Sequence, residues 1–278
     1  LAPDDPAARF IAHWKDDPLR SKITIRHLAT HSSGIEDAEE NGIPHNKLPG
    51  WKGDFWRAGL TSDHTVRVPD PISVSLYKAP VLFEPGTRFA YSNPGMALLA
   101  YTVAAAYQGS RWEDARALLR DRVMTPIGIR PEEWSIGYGR TWKLDGLAVV
   151  PNWGGGSFTA RAVARIGRLL LRKGDWEGKR IVSARAVEAL LSEAGTAPRR
   201  PGHLGTPVLC WYSNRDGVWT DLPRDAFRGS GAGDQVMLVV PSLNLIVVRN
   251  GERLEPRGER GMPQDDYIFG PIVAAVKR

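Results

Sequence analysis

The stretch Glu84-Pro85-Gly86-Thr87-Arg88-Phe89-Ala90-Tyr91-Ser92-Asn93 says more than any other about the fold and chemistry of this chain. An apolar run over residues 96–107 follows it and predicts a buried helix. Tyr91 and Asn93 are two residues apart on one turn, so a proton-transferring phenol and an amide dipole can point into the same cleft. The combination indicates acyl-transfer chemistry.

The composition is that of a globular protein. The 278 residues are 42% hydrophobic, which is enough for a sizeable core. The net charge of +6 comes from 37 Lys and Arg against 31 Asp and Glu, spread without a dense basic run, so nucleic-acid binding is not expected. No apolar run reaches the roughly 18 residues of a membrane span. Residues 1–5 lack a start methionine and a signal-peptide pattern, so we expect the chain to begin within a longer protein, and the compartment stays open.

The single cysteine, Cys210, excludes an internal disulfide. Its neighbours are apolar: Val208, Leu209, Trp211 and Tyr212. We therefore expect Cys210 to be a small buried side chain within a strand over residues 208–212.

The first two thirds of the chain predict mainly helices. Thr24 is a candidate N-cap for a short helical turn that Gly34 stops. Gly, Pro, Asn and Asp are frequent over residues 36–71, which favours a long, partly irregular loop. Residues 111–124 predict an amphipathic helix, and Thr159 and Ser183 are candidate caps for two more. Residues 20–200 thus predict a mostly helical lobe.

The end of the chain predicts a sheet. Strands are expected over residues 208–212, 236–240 and 245–249, the last two as an antiparallel hairpin, and a closing helix over 267–276. Helices in the middle and meander strands at the end indicate an α+β fold, with the C-terminal strands and helix over residues 205–278. We expect a single domain over residues 1–278 without internal repeats.

Three stretches, in order along the chain, resemble the serine β-lactamase-related hydrolases, which include class C β-lactamases, DD-peptidases and family-VIII esterases. They are residues 23–34 (ITIRHLATHSSG), residues 84–93 (EPGTRFAYSN) and Gly155-Gly156-Ser157 with the helix after it. The resemblance covers nearly the whole chain. It implies a β-lactamase/transpeptidase-like fold, in which an antiparallel sheet is flanked by helices, and it leaves the substrate open between an ester, an amide and a β-lactam.

By this resemblance, Tyr91 is the acid/base phenol and Asn93 is the amide that positions the substrate or the catalytic lysine. The third element of the family lies on a strand with Lys-Thr-Gly, His-x-Gly or looser variants, where backbone N–H groups help to form the oxyanion hole. The corresponding stretch here is residues 227–235 (FRGSGAGDQ), which contains neither of those two patterns. Because glycine lets a backbone approach a substrate closely, Gly231 and Ala232, with Ser230 beside them, are the oxyanion candidates.

The nucleophile is where this sequence departs from the family. Members carry Ser-x-x-Lys some tens of residues before the helix that begins here near Ile23, and residues 1–22 do not contain it. The one literal match, Ser75-Leu76-Tyr77-Lys78, lies 16 residues before Tyr91 and is better explained by chance. We expect the nucleophile helix and the first sheet strands to lie upstream of Leu1 or on a companion segment. Tested alone, the chain is then expected to show no acyl-enzyme turnover.

Two classes of function remain. Retention of Tyr-Ser-Asn favours a serine hydrolase, whereas the altered third element favours a catalytically inactive relative that binds or scaffolds. His27 and His31 have the i, i+4 spacing of metal ligands on one predicted helix, but a zinc protease needs Glu where Leu28 stands. We therefore expect structural roles, and for His31 a capping role or a buried hydrogen bond. Neither a metal nor another cofactor is expected.

Overall fold

The computed structural model describes residues 1–60, 70–191, 205–252, 254 and 268–276. The described residues of Leu1–Leu119 and Ser135–Gly156 form one compact unit, unit 1, and those of Arg120–Trp134, Ser157–Glu193 and Arg199–Arg278 form a second, unit 2. Helices and antiparallel strands are both abundant, which confirms the predicted α+β class. Within the described ranges, every helix is too short or too polar to cross a bilayer.

Unit 1 is mainly helical. Its helices are α1 (Ile25–Ala29), α2 (Gly50–Leu60), α3 (Pro71–Tyr77), α4 (Asn93–Ala106) and α5 (Ala115–Leu119). Most of α4 is buried, as its apolar composition predicts. It begins three residues earlier than expected because the Ser92 hydroxyl caps it, accepting the backbone N–H of Gly95 at 2.9 Å.

Thr24 is the N-cap of α1, as predicted. Its hydroxyl accepts the backbone N–H of His27 at 3.2 Å, and Nδ1 of His27 accepts the backbone N–H of Thr24 at 3.2 Å. The two bonds form a reciprocal capping box. The helix ends at Ala29, so the expectation that His27 and His31 share a helix is wrong. His31 lies beyond the helix in the left-handed region, with φ of 55°.

The prediction of a loop over residues 36–71 is wrong for residues 50–60, which form α2. The side chain of Phe55 is 1% exposed, and Nε1 of Trp56 donates to the carbonyl of Ala38 at 3.0 Å. Burial of these rings outweighs the low helix propensity of the glycines in α2. Residues 61–69 of the predicted loop lie outside the described residues.

The amphipathic helix expected over residues 111–124 is shorter than predicted. The α-helical part, α5, ends at Leu119, and a π-helical turn follows it at Arg120–Met124.

Short strands complete unit 1. β1 (Trp134–Ser135) lies at the boundary between the units, and β2 (Trp142–Leu144) pairs antiparallel with β3 (Leu147–Val149). Asp145 and Gly146 connect β2 to β3, with φ of 50° and 74°. Positive φ at both central positions is typical of the tightest hairpin turns, whose twist matches that of the paired strands.

Unit 2 is built on a five-stranded antiparallel sheet. Its elements are β4 (Ser157–Phe158), α6 (Ala160–Leu171), β5 (Asp175–Trp176), β6 (Lys179–Arg180), α7 (Ala184–Leu191), β7 (Thr206–Val208), β8 (Trp211–Ser213), β9 (Phe227–Gly231), β10 (Gln235–Val240), β11 (Leu245–Arg249) and α8 (Gly270–Val276). The order in the sheet is β11-β10-β9-β8-β7. The predicted caps are confirmed, since Thr159 and Ser183 each accept the backbone N–H three residues on, at 3.1 Å.

The interior strand β10, which lies between β11 and β9, buries both faces. Leu238 and Val240 pack with Phe269 and Val273 in one cluster, which includes α8. Met237 and Val239 belong to a second cluster, which includes residues of α6 and α7. Because side chains alternate along a strand, this division places the helices of unit 2 in layers on opposite faces of the sheet.

The strand predicted over residues 208–212 is in fact a hairpin. β7 and β8 pair antiparallel, and Leu209 with Cys210 forms the turn between them. Cys210 has φ of 62° and an exposed side chain, so the expectation that it is buried is wrong. A five-residue apolar run does not by itself distinguish one strand from two short strands joined by a turn. The hairpin of β10 and β11 is confirmed, and Asn244 takes φ of 50° in its turn.

Candidate active site

Tyr91, Ser92 and Asn93 lie together at the N-terminus of α4 in unit 1. Ser92 is the N-cap and Asn93 is the first helical residue, and their exposed fractions are 1% and 3%. Tyr91, directly before the cap, is 39% exposed. The turn therefore exposes one phenol on a backbone that is otherwise buried.

His31 supports the turn on the side of Tyr91. The two rings are stacked, with centroids 4.2 Å apart and planes 29° from parallel. Nδ1 of His31 accepts the backbone N–H of Ser92 at 3.2 Å, and the carbonyl of His31 accepts the backbone N–H of Ala90 at 2.8 Å. Because Nδ1 acts as an acceptor, it carries no proton in this arrangement.

Asp37 holds the turn at Asn93. Oδ1 of Asp37 accepts the backbone N–H of Asn93 at 2.8 Å and its side-chain Nδ2 at 3.0 Å. The amide of Asn93 is thus oriented by a carboxylate from a segment 56 residues earlier in the chain.

Backbone contacts explain why the first two family-like stretches lie together. Gly86 donates to the carbonyl of Ser32 at 2.8 Å, and Leu82 donates to that of Gly34 at 2.8 Å. Thr87 donates to the carbonyl of Glu84 at 3.2 Å, and with proline second and Gly86 third at φ of 84° this is a type II turn. Gly34 has φ of 82°, and a Cβ there would lie 2.4 Å from the carbonyl oxygen of Phe83, so only glycine fits.

The pKa of His27 lies below its usual range, chiefly because burial disfavours the charged imidazolium. A Cβ at Gly86 would lie 2.9 Å from Nε2 of His27, so the type II turn packs directly on this ring. The neutral imidazole is the form that accepts the Thr24 N–H in the capping box. His27 therefore has a structural role, joining α1 to the segment that leads to Tyr91.

The oxyanion candidates lie together at one end of the sheet in unit 2. Ser230 and Gly231 end β9, Ala232 begins the turn to β10, and all three are exposed. Arg249 secures this turn, since its Nη1 donates to the carbonyls of Gly233 and Asp234 at 3.2 and 2.9 Å. Within the part of the sheet that is described, β8 pairs with β9 only at Phe227 and Arg228. Beyond Arg228, β9 therefore has no strand partner among the described residues on the side away from β10.

The literal Ser-x-x-Lys match does not form a nucleophile and base pair. Ser75 is 1% exposed, and its hydroxyl donates to the carbonyl of Pro71 within α3 at 2.6 Å. Nζ of Lys78 forms an ion pair with Asp54 at 2.8 Å. A buried hydroxyl bonded to its own helix is unavailable for attack on a substrate, which agrees with the expectation that the match is accidental.

Sequence reasoning missed Asp37, whereas the hydrogen-bonding role expected for His31 agrees with the bond that its Nδ1 accepts from Ser92. Both side chains lie in residues 31–40, where the turn-forming residues predict a loop but do not indicate which side chains have partners elsewhere. The one local indication for Asp37 is its position, three residues after Gly34 in the Ser32-Ser33-Gly34 turn. Among the described residues, no three His, Cys, Asp or Glu side chains form a cluster suited to a metal ion.

Comparison with known proteins gives one family. The beta-lactamase family model matches residues 1–263 of this chain. No curated protein sequence is significantly similar to it.

Solved structures share the fold. A protein assigned as a 6-aminohexanoate-dimer hydrolase from Bacillus anthracis is 20% identical, with a TM-score of 0.69 over 100% of this chain and 67% of that chain. A protein assigned as a beta-lactamase from Bacteroides dorei is 16% identical, with a TM-score of 0.66 over 99% and 79% of the two chains. A family VIII carboxylesterase is 16% identical, with a TM-score of 0.64 over 99% and 77%. These similarities confirm the predicted β-lactamase/transpeptidase-like fold.

Proposed function

Because the chain belongs to the beta-lactamase family of serine hydrolases, we propose that it supplies the proton-transfer part of an enzyme that cleaves an ester, an amide or a β-lactam through an acyl-enzyme. Tyr91 is the general acid/base, and Asn93 positions the substrate or the catalytic lysine. The backbone of Ser230, Gly231 and Ala232 supplies N–H donors to the oxyanion. The Ser-x-x-Lys nucleophile lies upstream of this chain or on a companion segment.

The chemical steps follow from these roles. The serine oxygen attacks the carbonyl carbon while the lysine takes the serine proton. Tyr91 then delivers a proton to the departing oxygen or nitrogen as its bond to the carbonyl carbon breaks. Water then attacks the acyl carbonyl carbon and gives a proton to Tyr91. The bond from that carbon to the serine oxygen breaks, and the lysine returns its proton to the serine oxygen, so that the acid is released and all three groups are restored.

The observation that carries this proposal is the geometry of the Tyr91 turn. Tyr91 is 39% exposed, lies directly before buried residues and stacks on His31, and Asp37 orients the asparagine that follows it. A tyrosine with only a packing role gains most from full burial of its ring. Proton transfer instead requires an accessible hydroxyl held in one place, which this arrangement supports.

A first test uses the natural full-length protein with a chromogenic short-chain ester, a chromogenic amide and a β-lactam. Tyr91→Phe is expected to lower kcat/KM on the preferred substrate by about 10² to 10⁴-fold, the usual contribution of general acid–base catalysis. The control is Tyr77→Phe, which removes the same hydroxyl from a ring that is 63% exposed on α3. Equal activity of the Tyr91 and Tyr77 variants would contradict the role of Tyr91.

The second candidate function is a catalytically inactive binding or scaffolding protein of the same family. The stretch over residues 227–235, which contains neither Lys-Thr-Gly nor His-x-Gly, favours it. The coding sequence upstream of Leu1 separates the two candidates, since a Ser-x-x-Lys within roughly a hundred residues supports the enzyme. If the full-length protein is not labelled by a serine-directed fluorophosphonate, the hydrolase proposal is wrong.

A further inference from the structure

We infer that Asp37 is a positioning residue that selects one orientation of the Asn93 amide beside Tyr91. The inference rests on the proposed function, because it assigns the substrate-facing polarity of a residue in that site. It concerns contacts within unit 1 alone.

The orientation follows from which groups can donate. Oδ1 of Asp37 receives three N–H groups: the backbone N–H of Asn93 at 2.8 Å, Nδ2 of Asn93 at 3.0 Å and the backbone N–H of Ala38 at 2.8 Å. An oxygen that accepts two backbone N–H groups acts as an acceptor toward the side-chain amide as well, so the NH2 end of the amide must face Asp37. The carbonyl end of the amide is then turned away from Asp37. A substrate that contacts Asn93 meets an acceptor oxygen and one remaining N–H.

The carboxylate is itself held by the fold. The neighbouring Glu36 donates its backbone N–H to the carbonyl of Pro80 at 2.9 Å, and the carbonyl of Ala38 accepts Nε1 of Trp56 at 3.0 Å. Asp37 therefore lies between two anchored residues. A side chain on such a segment can impose an orientation on its partner instead of following it.

The carboxylate of Asp37 lies at the N-terminus of α4. Glu36 and Glu40 both form ion pairs with Nζ of Lys52, at 2.9 and 3.2 Å. Across the described residues, no Lys, Arg or His forms an ion pair with Asp37. Its carboxylate is bonded at the first residue of the 14-residue helix α4, where the positive end of the helix dipole favours an anion.

A purely structural cap is the competing explanation, and paired variants separate the two. Asp37→Ala removes the acceptor, whereas Asp37→Asn can keep an oxygen at the position of Oδ1. The matched control is Asp70→Ala, which removes a carboxylate that caps α3 by accepting the Ser73 N–H at 2.8 Å. All three are made in the natural full-length protein, and kcat and KM are measured separately.

Asp37→Ala is expected to lower kcat/KM by about 10- to 100-fold, the cost of a misplaced polar group in a site. Asp37→Asn is expected to recover most of this loss, and Asp70→Ala to stay within about twofold of wild type while losing a cap. Full activity of Asp37→Ala would overturn the inference. So would an Asp37→Asn variant as impaired as Asp37→Ala.

An NMR measurement tests the orientation of the Asn93 amide independently of whether the protein is a hydrolase. The protein is labelled with ¹⁵N in asparagine only, and the Asn93 side-chain NH2 signals are assigned by their loss in Asn93→Ser. In the wild type, the two protons are expected at well-separated shifts, since one is bonded to a carboxylate. In Asp37→Ala they should collapse toward the shifts of a free amide. Unchanged NH2 signals would refute the inference even if the protein is an active hydrolase, and changed signals would support it even if it is not.

Discussion

Replacement of His31 tests the contact that supports Tyr91. The side chain makes two separable contributions, the ring stacked at 4.2 Å on Tyr91 and the Nδ1 acceptor for the buried Ser92 N–H at 3.2 Å. Alanine removes both contributions. Asparagine keeps an acceptor near the position of Nδ1 and also tolerates the φ of 55° at this residue, so it removes chiefly the stacking.

The expected destabilisation follows from the contacts that each variant loses. A stacked ring pair contributes about 0.5–1.5 kcal/mol beyond its buried area. A buried N–H left without an acceptor costs about 1–3 kcal/mol. His31→Ala is therefore expected to lower the free energy of unfolding by about 1.5–4.5 kcal/mol, and His31→Asn by about 0.5–1.5 kcal/mol.

The assay is urea unfolding followed by tryptophan fluorescence, with the midpoint and the slope compared between variants. His13→Ala is the matched control, because His13 stacks on Tyr77 at 4.9 Å on the exposed surface of the chain. That variant should lose no more than about 0.5 kcal/mol. If His31→Ala and His31→Asn are equally stable, the hydrogen bond that His31 accepts from Ser92 does not contribute to the free energy of unfolding.

Three other outcomes are expected. Ser75→Ala in the full-length protein should leave kcat/KM within about twofold and stability within about 1 kcal/mol, because its hydroxyl only bonds within α3; a fluorophosphonate adduct mapped to Ser75 would contradict this. Because burial lowers the pKa of His27 in the folded state, the unfolded state binds more protons, so stability should fall as pH drops below about 6.5, by at most about 1.4 kcal/mol per unit. His27→Gln keeps the capping box without a titrating group, and its unfolding curves should vary less between pH 5 and about 7 than those of the wild type. Asn214 is 0% exposed and bonds the carbonyls of Trp219, Leu222 and Pro223, so Asn214→Ala should cost about 2–4 kcal/mol in thermal or urea unfolding, and a loss below about 1 kcal/mol would argue against that role.

Much of the fold could be predicted because its signals are local. The caps at Thr24, Thr159 and Ser183 each bond a backbone N–H three residues on, so both partners fall within one short motif. The same holds for the β10–β11 hairpin, whose turn residues and two apolar strands are adjacent in the chain. The apolar run that became α4 was long enough to distinguish a helix from a strand.

Where tertiary packing outweighed local preference, prediction failed. Residues 50–60 contain three glycines and look like a loop, yet burial of Phe55 makes them helical. Residues 208–212 look like one strand, yet the chain reverses at Cys210 to pair β7 with β8. For α2 the deciding contacts lie outside the window in which a pattern can be recognised, since Phe55 packs with Ala38, Val74 and Ala97. The pairing of β7 with β8 is local, but its turn residues, Leu209 and Cys210, are not the Gly, Asn or Asp that usually mark a tight hairpin turn.

The residues of the candidate site divide in the same way. Tyr91 and Asn93 stand out from the sequence, because their spacing and the proline-glycine turn before them form one continuous motif. The residues that orient them do not, since the partners of Ser92 and Asn93 are His31 and Asp37, 61 and 56 positions away. Closing loops of that length is entropically costly and is offset only when the whole core of unit 1 packs. The amino-acid sequence alone therefore determines the residue types of the candidate site and its short-range hydrogen bonds. The exposure of Tyr91 and the orientation of the Asn93 amide are set only by the tertiary structure, because they depend on the packed core of unit 1.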